Sequence, residues 1–141
     1  MILIFSFMLN NGVIDSLKTS KHLAEKISAI RSSTYVLINY GSFEETLLFY
    51  TGKRLYLAGY MGELEMGAQH PDARPYFLSE DSFRKLFSSG KPALVVIKSK
   101  RLHQFKSNNS AFQLLTCEDE LCLIGNEAFL QQYKGNAARL F

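Results

Sequence analysis

The chain has 141 residues, the size of one ordinary domain, and 47% of them are apolar, enough for a real core. Sixteen Lys and Arg against thirteen Asp and Glu leave a net charge of +3. That field is too weak for a nucleic-acid-binding protein, and two cysteines are too few for a disulfide framework.

The first stretch, "MILIFSFML", carries no charge, and the first charged residue is Asp15. It has no basic start or small-residue cleavage site, so it is not a secretory signal. It also falls short of the ~20 apolar residues that span a bilayer. Segment 1–14 therefore reads as the end of a transmembrane helix, with a buried N-terminal strand as the other reading. Segment 15–33 reads as a connector and a first helix. That helix runs from Ser20 to Arg31, with Leu23, Ile27 and Ile30 on one stripe.

"TYVLINY", Thr34 to Tyr40, is nearly uncharged and β-branched or aromatic, as a central strand covered on both faces would be. Gly41 breaks it. "SFEE" then matches a capping box, Ser42 to Glu45, opening a helix that stops at Gly52. "RLYLAGY" is a second strand, so strand, helix and strand form a β-α-β unit. "GELEMGAQH" reads as a short helix before Pro71, and a very short strand is expected at Tyr76 to Leu78. "SEDSFRKLFSSG" is the best-signposted helix: Ser79 caps it, acids follow, Phe83, Leu86 and Phe87 face inward, and Gly90 ends it. "ALVVIK" is a buried strand. "SKRLHQFKSNNS" reads as a polar loop with at most a helical turn.

"LLTCEDELCLIG" reads as a hairpin about Asp119 and Glu120, which sets Cys117 opposite Cys122. Opposed residues of a non-hydrogen-bonded pair lie about 4.5 Å apart, within disulfide range. The pair is either an oxidised clip or two small thiols; no second Cys or His pair completes a zinc site. Segment 127–141 is a tail with helical character. Together these elements predict one α/β domain over 34–126. It is a three-layer arrangement with a mixed sheet of five or six strands, helices on both faces and a C-terminal hairpin.

Little in the chain forms a self-sufficient catalytic set. Glu63 and Glu65 are two apart on a predicted helix and point to different faces. His22, His70 and His103 stand alone, with neither HExxH nor a GxSxG elbow beside them. The strand–Gly41–Ser42–helix junction lies where open α/β sheets place ligands, but Glu44 and Glu45 would repel a phosphate there. "KSKRLHQFK", Lys98 to Lys106, is the strongest basic run. It reads as a solvated loop, or as a contact for lipid headgroups if a membrane is near.

The order of "LINYGSFEETLLFYTGKRLYLAGYMGELEMG", "FLSEDSFRKLFSSGKPALVVIKSK" and "FQLLTCEDELCLIGN" resembles the soluble C-terminal domain of polytopic bacterial glycosyltransferases. These are the aminoarabinose-transferase and protein-mannosyltransferase relatives, which use polyprenyl-phosphate sugars. Tyr40, Ser42, Leu47, Phe49, Tyr50, Arg54, Gly62, Glu63, Leu64, Gly67, Phe83, Leu86 and Val95 carry the likeness.

The resemblance implies a domain on the extracytoplasmic, periplasmic side of a membrane, with the membrane-embedded catalytic part of the same transferase as partner. The family's catalytic acid, metal site and lipid-phosphate residues match no position here. No catalytic residue, cofactor or metal is therefore expected in this chain, nor a nucleic-acid partner. Tyr40, Tyr50, Tyr60 and Glu63 are the candidate contacts to the interface or to a sugar. A free-standing soluble α/β ligand-binding or regulatory module is the alternative.

Overall fold

The computed structural model describes residues 21–30, 35–59, 71–72 and 74–133. The expected membrane-exit segment, the "GELEMGAQH" helix and the end of the tail lie outside the described residues.

A first helix, α1, covers 21–28. Then come β1 (Val36–Tyr40), α2 (Glu45–Thr51), β2 (Leu55–Ala58), a 3-10 turn at Arg74–Tyr76 and β3 (Phe77–Leu78). They are followed by α3 (Glu80–Phe87), β4 (Ala93–Lys98), a 3-10 turn at Ser99–Arg101 and α4 (Leu102–Asn108). The hairpin strands β5 (Phe112–Glu118) and β6 (Leu121–Asn126) and helix α5 (Glu127–Gln132) complete the order.

The six strands form one open mixed sheet in the order β3-β2-β1-β4-β6-β5. β3, β2, β1 and β4 run parallel, while β6 is antiparallel to both β4 and β5. Side chains alternate across a strand, so each central strand feeds two cores. Leu37, Leu94, Val96 and Leu123 point to one face, where Leu23 and Ile27 of α1, Leu47 of α2 and Phe129 of α5 cover them. Ile38, Val95, Ile97 and Ile124 point to the other, beneath Phe83 and Phe87 of α3 and Phe105 of α4. This is the three-layer α/β arrangement expected. Phe83, Phe105 and Phe129 are fully buried, and each contributes about 2–3 kcal/mol by leaving water.

Two local expectations need correction. The basic run is a 3-10 turn and a helix rather than a loop. Its two apolar residues, Leu102 and Phe105, are spaced three apart, and Phe105 is only 1% exposed against the α3 face. Buried against the sheet, that one ring holds a helix whose other side chains are mostly polar and exposed.

The second correction concerns Ser42, which does not cap α2. The N-cap is Glu44, with no side-chain cap bond. The Glu44 N–H instead donates to Asn39 Oδ1 at 2.7 Å, and the Asn39 amide donates to Ser42 Oγ and to the Val96 carbonyl, both at 3.3 Å. Asn39 is fully buried at the end of β1 and must satisfy its amide there. It takes over the capping role that the spacing of Ser42 suggested.

The hairpin has the expected two-residue turn, Asp119–Glu120, with Asp119 at φ 50°. β5 carries a bulge between Leu114 and Thr116, and the extra residue, Leu115, packs onto the α1 core.

Candidate functional site

The strand order reverses at β1: β2 and β3 lie to one side of it and β4 to the other. In open α/β sheets the crevice at the carboxyl ends of such strands is where ligands bind. A cavity of about 120 Å³ lies there, lined by Tyr40, Gly59, Glu80, Arg101, Gln104 and Phe105.

The lining side chains come from β1, α3, the 3-10 turn after β4 and α4. Tyr40 is the last residue of β1. Its ring rests between Phe83 and Phe105, with centroids 5.0 and 5.3 Å away. Its hydroxyl donates to Glu80 Oε1 at 2.7 Å, from the first residue of α3. Burial, the Glu80 hydrogen bond and the Glu80 charge push the Tyr40 phenol up to about 12, against weaker opposing pulls from Arg84 and Arg101. At neutral pH Tyr40 is therefore a neutral donor to Glu80. Arg101 closes the 3-10 turn after β4, and Gln104 follows on α4.

Two glycines make this convergence possible. Gly41 and Gly59 end β1 and β2 side by side at φ 73° and 65°, and the Gly41 N–H donates to the Ala58 carbonyl at 2.7 Å. Such φ values favour glycine. A Cβ on Gly41 would sit 2.9 Å from Arg101 Cδ, and one on Gly59 would sit 3.4 Å from Glu80 Oε1. A side chain at Gly41 would push the Arg101 side chain aside, and one at Gly59 would come into contact with Glu80.

On the opposite face of the same strand ends, Glu44 is half-buried near Lys98 and Glu120. Burial raises its carboxyl pKa, Lys98 lowers it and Glu120 raises it. A larger cavity of about 300 Å³ lies at the far end of the sheet between the α3 C-terminus and α5. Among the described residues that line it, Glu127 carries the charge, and no set of reactive groups converges there. Among the described residues no three His, Cys, Asp or Glu side chains gather into a metal-binding group.

Of the four sequence-derived contact candidates, Tyr40 lines the switch-point cavity and Tyr50 does not. Tyr50 lies on α2, over the opposite core, in an exposed run of Leu48, Phe49 and Tyr50. Phe49 is 81% exposed, stacks edge-on against Tyr50 at 5.3 Å and makes this the most prominent apolar projection of the described residues. Lys21 of α1 lies 5.9 Å from the Tyr50 ring. Tyr60 and Glu63 lie outside the described residues. Cys117 and Cys122 are bonded to each other, with Cα atoms 4.0 Å apart. Arg101 and Gln104 fall within the basic run, but nothing in the sequence pairs them with Glu80 or Tyr40. The available signal was positional: each stands shortly after the end of a strand, Glu80 after β3 and the other two after β4.

A sequence model of the aminoarabinose transferase C-terminal domain matches residues 23–126. The chain belongs to that family. Two crystal structures of ArnT from Cupriavidus metallidurans, one bound to undecaprenyl phosphate and one in the apo state, share the fold with a TM-score of 0.66 and 22% identity. The likeness covers 78% and 81% of this chain but only 20% and 21% of theirs, so this aminoarabinose transferase C-terminal domain spans about a fifth of the ArnT chain. No curated protein matches the sequence. Among the described residues no helix is long and apolar enough to cross a membrane.

Proposed function

We propose that the chain is the non-catalytic, extracytoplasmic C-terminal domain of a membrane glycosyltransferase that takes its sugar from a polyprenyl-phosphate donor. The family match over residues 23–126 carries this reading. One structural neighbour, ArnT from Cupriavidus metallidurans, binds undecaprenyl phosphate in its crystal structure, which supports the lipid-linked donor class. The Cys117–Cys122 bond supports an oxidising compartment, where such bonds persist. The partner is the membrane-embedded catalytic part of the same transferase. The Leu48–Phe49–Tyr50 projection of α2 is the surface that docks on it, since an apolar run of this kind is a characteristic contact surface. Lys100, Arg101 and Lys106, all exposed at the turn after β4 and on α4, stand ready for lipid headgroups.

Fractionation of cells expressing the native gene product, blotted against this domain, tests the placement. A band much larger than 16.0 kDa in the membrane pellet, reactive from the extracytoplasmic side, is expected. A 16.0 kDa band in the soluble fraction would overturn the reading. Phe49→Ser and Tyr50→Ser in the full-length protein should lower transferase activity while leaving the melting temperature of the domain unchanged.

A further inference from the structure

The switch-point cavity holds two opposite charges that do not neutralise each other. Glu80 and Arg101 line the same 120 Å³ space, yet among the described residues neither forms an ion pair within 4.0 Å. Glu80 accepts from the Tyr40 hydroxyl, and the Arg101 side chain lies against Gly41. Exposed opposite charges that could pair gain little by pairing, so both remain available to a ligand that carries the complementary pair.

We infer that this cavity binds a small zwitterion, a molecule carrying an ammonium group and a carboxylate or phosphate a few bonds apart. The ammonium meets the Glu80 carboxylate. The anion meets the Arg101 guanidinium, whose planar fork suits either oxyanion. Gln104 offers an amide to the connecting atoms, and the Tyr40 ring forms the wall. A pure anion is opposed by Glu80 and a pure cation by Arg101, so the paired lining selects for both signs together. The cavity, about 120 Å³, is several times the ~10–15 Å³ that a single water needs, so it can take a small polar molecule. A small amino acid or a phosphoethanolamine headgroup carries both charges in one compact molecule. The bare backbone at Gly41 and Gly59 is what leaves the space open. The inference does not depend on the membrane placement proposed above, and its test is independent of fractionation.

The test is a titration of the ¹⁵N-labelled 141-residue chain, in a non-ionic detergent, followed by amide chemical shifts. The probes are O-phosphoethanolamine, L-serine, inorganic phosphate and ethanolamine. Saturable shifts at Tyr40, Gly41, Gly59, Glu80, Arg101 and Gln104 are expected with phosphoethanolamine or L-serine. Preference for the first identifies a lipid headgroup as the source, and preference for the second a free amino acid. Glu80→Gln and Arg101→Gln should each weaken the bound probe about tenfold. Both positions are exposed, and Glu80→Gln keeps an acceptor for the Tyr40 hydroxyl, so both variants should retain a dispersed spectrum. Equal shifts with phosphate alone or ethanolamine alone would overturn the inference, as would the absence of saturable shifts with every probe.

Discussion

Two buried asparagines sit at opposite ends of the sheet and are used differently. Asn126, which ends β6 beside the amino end of β4, commits its whole side chain. Its Oδ1 accepts from the Ala93 and Phe129 N–H groups, both at 2.9 Å, and its amide donates to the Phe87 and Lys91 carbonyls at 2.9 and 2.8 Å. Asn39, at the carboxyl end of β1, has one short bond at 2.7 Å and two at 3.3 Å. On the other face of the sheet, at the same end, lie the left-handed glycines, Glu80, Arg101 and the cavity. The saturated end is scaffold: α3, β4, β6 and α5 are tied through one side chain. The other end keeps hydrogen-bonding and charge capacity in reserve, and capacity left over is what a ligand needs.

The contrast predicts unequal losses. Asn126→Ala removes an N-cap and strands buried groups on three elements, so it should lower the unfolding free energy by about 3–5 kcal/mol. Asn39→Ala breaks one good bond and two long ones, and should cost about 1–2 kcal/mol. Urea unfolding of both variants checks this. Equal losses would mean that the carboxyl end is as rigidly built as the other, and the contrast would fail.

Much of the saturated framework was legible in the sequence. "TYVLINY" and "ALVVIK" are mostly apolar because both faces of β1 and β4 are covered. Ser79 accepts from the Ser82 N–H at 3.1 Å, as its position before two acids suggested. Helix α4 was not legible, because its packing rests on Phe105 within a polar, basic run, and hydrophobic periodicity is weak over so few residues. The role of Asn39 was hidden for another reason. The Ser42 spacing satisfied a local rule, while a buried amide three residues earlier had a stronger need for the same backbone. The cavity was least legible of all. Tyr40, Glu80 and Arg101 meet only because the crossovers bring three strand ends together, and spacing along the chain does not encode that.

The smallest expected effect tests whether the carboxyl end carries a charge it would be more stable without. Glu44 stands at the N-cap of α2, where the helix dipole and Lys98 favour a carboxylate, yet burial and Glu120 raise its pKa. A carboxyl whose pKa is higher in the folded protein than in the unfolded chain binds its proton more tightly when folded. Its favourable contribution is complete below the ordinary glutamate value, about 4.3, and is lost as the pH rises through the folded value. At neutral pH the ionised group is then a net cost. Glu44→Gln should raise stability by less than about 1 kcal/mol at about pH 7, given its partial exposure, with the gain gone by about pH 4. Denaturant melts at the two pH values measure it. A loss at neutral pH would instead show that the dipole and Lys98 outweigh burial, and that Glu44 belongs with the saturated scaffold rather than with the polar surplus of the open end.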